Sequence, residues 1–172
     1  MTLLASVSAG TVTAFGTTVP AAFGRGGAIS ADAKREGDGA SPLGAWPIRA
    51  ALLRRDRVAV PITALVTAIP WRWLRPDDGW SDDAADPAYN RPVNHPHRFG
   101  AERLWRDDGA YDIIVILGHN DHPPVAQAGS AIFLHCAQPD FRSTEGCVAV
   151  ETAVLAGWLA RLAHGDELVI IR

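Results

Sequence analysis

The chain has 172 residues, of which 48% are hydrophobic and 20% are charged, with a formal net charge of -3 at pH 7. This is the composition of an ordinary globular protein, and it excludes a disordered or fibrous chain. The acidic balance also argues against nucleic acid as a partner, since phosphate binding requires a basic surface. We expect a single domain over residues 1–172, and a monomer.

Short runs rich in valine, isoleucine and threonine, separated by glycine and proline, dominate the chain and predict β-strands. These runs cover residues 2–8, 11–15, 48–54, 58–68, 112–117, 130–135, 147–150 and 167–172. Together they predict a mainly β fold, a compact β-sandwich or barrel-like sheet, with one or two helices.

The helices are predicted near two short segments. Apolar residues recur at helical spacing after Thr152, a candidate N-cap, and Gly165 supplies a C-terminal stop. This helix directly follows the run at 147–150, so its apolar face should support the turn before that run. A shorter helix is predicted over residues 101–106.

Residues 70–100 form the least regular stretch, with five prolines and three tryptophans. A long irregular segment in a compact domain is usually functional or disordered, and tryptophans disfavour disorder. We interpret it as a lid or wall over a cleft, in which Tyr89, Asn90 and Arg91 contact a peptide. The alternative is a cover for a sheet edge.

The segment from residue 130 to residue 150 has the pattern of an acyl-transfer site. An apolar run ends at His135, and a turn containing Thr144 and Gly146 leads into Cys147. A thiol becomes a strong nucleophile when an imidazole takes its proton, and a sharp turn at glycine can direct backbone N–H groups at an oxyanion. The alternative is that Cys147 is a small buried hydrophobic residue and His135 a structural one.

Several neighbouring residues have two interpretations. Arg142 suits a bidentate contact with a substrate carboxylate, although a solvated loop arginine is the simpler interpretation. Cys136 follows His135 on the predicted strand, so it should face the opposite way and be a buried, inert thiol.

His119 and His122 form a second candidate cluster, since with His135 and a cysteine they could complete a tetrahedral zinc site. Asn120 lies between them and is a candidate substrate contact. The segment is more simply a turn, because Asn and Asp favour local backbone bonds and two prolines follow. We therefore expect no metal and no cofactor.

Phe-Leu-His135 followed by Thr144-Glu-Gly-Cys147-Val resembles the catalytic segment of the L,D-transpeptidase (YkuD-type) family. The upstream segments 34–44 and 104–112 are also similar to family segments, so the resemblance extends from about residue 20 to the end. The loop between histidine and cysteine is shorter than in many members, and Cys136 stands where glycine is usual. We therefore interpret the chain as a divergent branch.

The resemblance implies a function and a mechanism. Cys147 would attack the L,D-peptide bond of a peptidoglycan stem peptide, and His135, oriented by a main-chain carbonyl, would take its proton. The N–H groups of Gly146 and Cys147 would form the oxyanion hole, with Thr144 hydrogen-bonded in the turn. Transfer of the acyl group to an amine gives a 3,3 or 1,3 cross-link, and its transfer to water gives carboxypeptidase or endopeptidase activity. A zinc peptidase and a silent binding module remain alternatives.

The cell-envelope location implied by the resemblance disagrees with the sequence at the amino terminus. Peptidoglycan implies the periplasm or cell envelope. However, the first ten residues lack the positive n-region of a signal peptide, and no stretch approaches the roughly 18–20 apolar residues of a membrane span.

Overall fold

The structure is a computed structural model that describes residues 1–58 and 69–172. The strands in this part of the chain are β1 (Thr2–Ser6), β2 (Thr11–Ala14), β3 (Thr17–Ala22), β4 (Ala28–Ser30), β5 (Ser41–Leu53), β6 (Trp71–Trp73), β7 (Asp78–Ser81), β8 (Pro92–Asn94), β9 (Ala101–Arg103), β10 (Ile113–Leu117), β11 (Phe133–Cys136), β12 (Val148–Val150) and β13 (Glu167–Ile171). The helix α1 (Thr152–Leu159) connects β12 to β13.

Eight strands close into a barrel in the order β10-β11-β12-β3-β2-β1-β13-β5, because β5 pairs back onto β10. Closure depends on the length of β5, which has 13 residues. Its residues 44–47 pair with β13, and its residues 48–53 pair with β10. A closed barrel leaves no free sheet edge along these strands.

The main core fills the inside of this barrel. It contains Leu3 and Val12 from the first strands, Val115 and Leu134 from the central ones, and the apolar face of α1. The helix packs against β10 and β11. Its buried residues are Leu155, Trp158 and Leu159, as the helical spacing of apolar residues predicted.

A second core lies on the other face of β10 and β11, beneath a small sheet in the order β8-β7-β9. Trp80 of β7 contacts Phe133 of β11 edge-on, with ring centroids 5.1 Å apart. Leu104, which directly follows β9, is fully buried in the same cluster. The small sheet therefore covers the outer side of the barrel wall.

The predicted mainly β class is confirmed, whereas several local predictions differ from the structure. The predicted helix over 101–106 is wrong, because Ala101–Arg103 pairs with β7 as a strand and tertiary pairing overrides helix propensity. The strand at 17–22 went unrecognised because it contains Pro20. The N-cap of α1 is Glu151, one residue before Thr152, and it makes no side-chain cap bond. The run predicted over 58–68 lies, from residue 59 onward, outside the described residues.

Among the helices of residues 1–58 and 69–172, none has the length and apolar character needed to cross a membrane.

Candidate active site

Parallel pairing of β11 and β12 brings His135 and Cys147 to one cleft. His135 is opposite Ala149 in this pair, and Cys147 lies two residues before Ala149. Residues two apart on a strand point to the same face, so both side chains face the outer side of the barrel wall. Each is only 7% exposed, and both line a cleft of about 450 Å³.

The turn before Cys147 requires glycine at position 146. Gly146 has a φ of +132°, and a Cβ there would lie 2.9 Å from the Ala40 carbonyl oxygen. The turn is tied down by Thr144, whose N–H donates to the Phe23 carbonyl at 2.8 Å. The Thr144 hydroxyl also donates to the Cys147 carbonyl at 2.7 Å.

The Gly146 N–H, expected as an oxyanion donor, already has a partner. It donates to Thr144 Oγ1 at 3.2 Å, because the hydroxyl of Thr144 folds back over the turn. The Thr144 hydroxyl thus bonds the backbone of its own turn, as an ordinary turn residue does, and a role for it in the reaction stays a prediction. An oxyanion could recruit the Gly146 N–H only after that bond opens.

The sulfur of Cys147 is held by backbone groups. It donates to the Ala131 carbonyl at 3.1 Å and accepts from the Phe133 N–H at 3.4 Å. Burial raises the pKa of this thiol to about 12. The resting sulfur is therefore a neutral thiol at physiological pH.

The imidazole of His135 is also neutral. Burial lowers its pKa to about 4, although the carbonyls of Cys136 and Ala110 favour a proton on the ring. Its Nδ1 lies 3.0 Å from the Cys136 carbonyl oxygen. Since a carbonyl can only accept, Nδ1 carries the hydrogen and Nε2 keeps a free lone pair. The cleft is therefore lined by a neutral imidazole with a free Nε2 lone pair and by an unionised thiol.

Tyr111 is a cleft residue that the sequence analysis missed. Its ring meets that of His135 edge-on, with centroids 5.2 Å apart. Its hydroxyl donates to Glu102 Oε1 at 2.7 Å, and Glu102 lies 3.8 Å from Arg106 Nη1. Nothing in the local sequence marks these three residues, because the strand pairing of β9 brings Glu102 to the cleft.

Arg142 reaches the cleft as an exposed side chain. It lines the same cavity as His135, and its Nη2 lies 3.7 Å from Asp108 Oδ2. Asp108 bonds more closely to Arg106, at 2.5 Å. Among the described residues the guanidinium of Arg142 has no closer acceptor, so its donors are available to a ligand.

The other expected substrate contacts have different partners in the structure. Asn90 is buried, accepts from Trp80 Nε1 and the Ala131 N–H, and donates to the carbonyls of residues 119 and 120. Asn120 bonds the carbonyls of residues 125 and 129. These amides bond backbone groups of the same chain, as most side-chain donors and acceptors do.

Tyr89 and Arg91 likewise contact their own chain. The Tyr89 hydroxyl donates to Glu36 Oε2 at 2.5 Å, and Arg91 Nη2 donates to the Asp121 carbonyl at 2.6 Å. None of the four residues predicted from residues 89–91 and 120 lines the cleft. Segment 70–100 contributes Asp82 to the cleft wall instead.

Cys136 and the histidine pair lie away from the cleft. Cys136 is fully buried in the barrel core, where its Sγ faces the Ile113 carbonyl at 3.9 Å. His119 Nε2 lies 3.1 Å from the Ala128 carbonyl, and His122 is exposed. Within residues 1–58 and 69–172, no group of three or more His, Cys, Asp or Glu side chains is arranged to hold a metal ion.

Comparison with solved structures finds L,D-transpeptidases. L,D-transpeptidase 1 of Mycobacterium tuberculosis is 13% identical to this chain, with a TM-score of 0.45. The alignment covers 99% of this chain and 58% of that protein. L,D-transpeptidase 3 of the same organism, solved with a faropenem-derived adduct, is 15% identical with a TM-score of 0.44 and coverages of 99% and 60%. An L,D-transpeptidase from Mycobacterium smegmatis is 14% identical with a TM-score of 0.44 and coverages of 99% and 58%.

The chain thus spans about three fifths of the length of these proteins. No curated protein matches it. The decisive comparison is with the family described as YkuD, L,D-transpeptidase catalytic domain, whose sequence pattern matches residues 3–171. The chain therefore belongs to the YkuD family of L,D-transpeptidase catalytic domains.

Proposed function

We propose that this protein transfers acyl groups between peptidoglycan stem peptides through a thioester on Cys147, with His135 as the general base. The proposal rests on one observation above all. A thiol and an imidazole whose Nε2 is unprotonated line the same cleft, and a carbonyl orients the imidazole. This is the pairing of nucleophile, base and orienting group that covalent acyl transfer requires.

The first half-reaction forms the acyl-enzyme. Cys147 Sγ attacks the carbonyl carbon of the L,D-peptide bond, while its proton passes to His135 Nε2. The sulfur proton must first leave the Ala131 carbonyl, which requires a rotation of the S–H group about the Cβ–Sγ bond of Cys147. The tetrahedral oxyanion then collapses, the C–N bond breaks, and the leaving amine takes the proton from His135.

The second half-reaction releases the product. An acceptor amine attacks the thioester, gives its proton to His135, and expels the Cys147 sulfur, which is reprotonated. Each backbone donor to the oxyanion typically contributes about 3 kcal/mol to transition-state stabilisation. We assign one such donor to the Cys147 N–H, and a second to the Gly146 N–H once it leaves Thr144.

The low pKa of His135 and the high pKa of Cys147 favour concerted proton transfer over a preformed ion pair. Burial lowers the pKa of His135 and raises the pKa of Cys147, and both directions favour the neutral imidazole and thiol over a thiolate–imidazolium pair in the resting protein. Attack and deprotonation should therefore occur together when the substrate carbonyl arrives.

Arg142 is proposed to bind a carboxylate of the stem peptide, because it is an exposed guanidinium at the cleft. A peptidoglycan substrate further implies action in the cell envelope. The acceptor decides between 3,3 and 1,3 cross-links, and water as acceptor gives hydrolysis.

Incubation with purified muropeptides, followed by mass analysis, tests this proposal. We expect loss of the terminal D-amino acid and a cross-linked product, with none of either from the Cys147→Ala variant. Exposure to a carbapenem or penem should give a covalent adduct on Cys147 alone. An intact protein that forms no adduct and leaves muropeptides unchanged would contradict the proposal and favour a silent binding module.

A further inference from the structure

Asn90 connects three parts of the molecule through one buried side chain. It is only 3% exposed and does not line the cleft. Its Oδ1 accepts from the indole N–H of Trp80 at 2.8 Å and from the backbone N–H of Ala131 at 3.1 Å. Its Nδ2 donates to the carbonyls of residues 119 and 120, at 3.1 and 2.7 Å. The amide therefore joins the small sheet, the segment after β10 and the wall of the cleft.

These four partners also fix the orientation of the Asn90 amide. Both groups at Oδ1 are N–H donors, and both groups at Nδ2 are carbonyl acceptors. An amide rotated by half a turn would place donor against donor and acceptor against acceptor, so one orientation alone satisfies these groups. The backbone N–H of Asn90 also donates to the Ser81 carbonyl at 2.9 Å. The residue is thus itself fixed to the end of β7.

Ala131, which Asn90 contacts, has an uncommon backbone conformation. Its φ is +52°, a value that residues with a Cβ rarely adopt. Such a conformation persists where the surroundings impose it. Without the bond to Asn90, Ala131 would be free to relax towards the negative φ that alanine prefers. Its N–H and its carbonyl could then no longer both keep their present directions.

The carbonyl of Ala131 faces the sulfur of Cys147. It accepts from Cys147 Sγ at 3.1 Å, and the N–H of Phe133 donates to the same sulfur at 3.4 Å. One short stretch of backbone therefore gives the thiol both an acceptor and a donor. Because φ sets the direction of a carbonyl relative to the N–H of the same residue, a fixed N–H is needed for the carbonyl of Ala131 to keep facing the sulfur.

We propose that Asn90 is a positioning residue for the nucleophile, and that it acts through the backbone of Ala131 to keep Cys147 Sγ in place. This inference rests on the proposed acyl-transfer function, because it concerns the thiol which that reaction uses. A thiol is a weak donor, so breaking its hydrogen bond during the reaction costs little. A displaced nucleophile costs far more, since an error of about 1 Å can slow a reaction about 100-fold. Loss of Asn90 should therefore slow acylation, although it also frees the thiol hydrogen.

The first test compares Asn90→Gly with Trp80→Phe. Glycine removes the amide and tolerates the φ of +55° at position 90. Trp80→Phe is the matched control, because it removes the other donor to the same Oδ1 and leaves the bond between Asn90 and Ala131 intact. It also keeps an aromatic ring next to Phe133. Acylation of Cys147 by a penem over a range of concentrations separates the maximal rate from the apparent affinity.

The expected result is a loss of rate without a loss of affinity. Asn90→Gly should lower the maximal acylation rate by about 10- to 100-fold and leave the half-saturating penem concentration almost unchanged. Affinity should be kept because Asn90 does not line the cleft. Trp80→Phe should keep the maximal rate within about threefold of wild type. Equal rates for the two variants, or a rate that rises in Asn90→Gly, would overturn the proposal.

A second substitution tests the route through Ala131. Ala131→Gly removes the steric penalty of a φ of +52°, so the direction of the carbonyl at position 131 then depends less on Asn90. In the Ala131→Gly background, Asn90→Gly should therefore slow acylation by only about threefold. The same fold loss in both backgrounds would show that Asn90 acts by another route, and it would overturn the proposal.

An infrared measurement tests the inference without using the reaction. In a Cys136→Ala background, Cys147 carries the single thiol of the chain, and its S–H stretching band reports whether that hydrogen is donated. Asn90→Gly should move the band to the higher frequency of a free thiol, and Trp80→Phe should leave it in place. An unchanged band in Asn90→Gly would overturn the proposal.

The infrared band and the acylation rate also separate this inference from the proposed function. If wild type is not acylated by penem or muropeptide but the band moves as expected, the function fails and the contact through Ala131 stands. If wild type is acylated and Asn90→Gly changes neither rate nor band, the positioning role fails and the function stands. If Asn90→Gly does not fold, Asn90→Ser takes its place in every measurement and is judged by the same criteria.

Discussion

The two cysteines of this chain have similar burial and opposite surroundings. Both are buried, and burial raises the pKa of both thiols. Cys136 lies inside the barrel among apolar side chains, whereas Cys147 lies on the outer face at a cleft shared with His135. Burial and pKa therefore do not distinguish the two thiols, whereas the face of the barrel wall does.

The difference follows from the alternation of side chains along β11. His135 and Cys136 are adjacent, so one faces the cleft and the other the barrel core. Cys147 is on the cleft side because it directly precedes β12, in which Ala149, two residues later, is opposite His135 of β11. Closure of the barrel fixes both faces, since a shift of one residue would exchange them.

The largest expected effect separates the cysteines by activity. Cys147→Ala should abolish acyl transfer, a loss of at least about 10³-fold, because no other thiol in the described structure lines the cleft. Cys136→Ala should change activity by less than about threefold. Turnover of purified muropeptides, measured for both variants, is the readout. Activity that survives Cys147→Ala but not Cys136→Ala would reverse the assignment.

The next effect concerns His135, the proposed general base. His135→Asn keeps an N–H able to reach the Cys136 carbonyl but removes the free lone pair of Nε2, so acylation should slow by about 10²- to 10⁴-fold. The rate of penem adduct formation on Cys147 is the measurement. An unchanged rate would mean that some other group takes the thiol proton.

His135 should also make stability depend on pH, since its folded pKa of about 4 is below the ordinary value of 6.5. The unfolded chain takes up a proton between these values and the folded chain does not. The contribution of neutral His135 to the free energy of unfolding is therefore complete above pH 6.5, and it is lost as the pH falls towards 4. The loss should be on the order of 2 to 3 kcal/mol.

Urea unfolding at pH 7.5 and pH 4.5 measures this loss. His135→Asn provides the control, because other groups titrate equally in both proteins. A similar pH dependence in wild type and variant would show that the imidazole does not carry the effect.

The sequence predicted that His135 and Cys147 share one cleft, because the pattern around each residue is local. A strand that ends in histidine and a glycine turn before cysteine can each be recognised within a few residues. The fold class was predictable for the same reason, from short apolar runs. The cleft wall was not predictable, because Glu102 reaches it through the pairing of β9 with β7, and its bond with Tyr111 joins residues that no local pattern connects.

Asn90 is a residue for which the local sequence predicted a ligand contact that the structure does not show. A polar residue in an irregular segment suggested a ligand contact, whereas the side chain satisfies backbone groups and the indole of Trp80. It acts on the site through Ala131, which has a φ of +52° and whose carbonyl accepts from Cys147 Sγ. Polar character alone cannot distinguish a residue that contacts a ligand from one that supports the residues around it.

The smallest expected effect compares the two cysteines by stability. Cys136→Ala removes a sulfur packed on all sides in the barrel core, so it should lower the free energy of unfolding by about 1 kcal/mol. Cys147→Ala should cost less than about half of that, because water in the cleft can occupy the space left by the sulfur. Denaturant midpoints of the two variants give the comparison. If Cys147→Ala were the more destabilising change, the outer cysteine would be the structural one, and the division of the barrel wall into a core face and a reactive face would not hold.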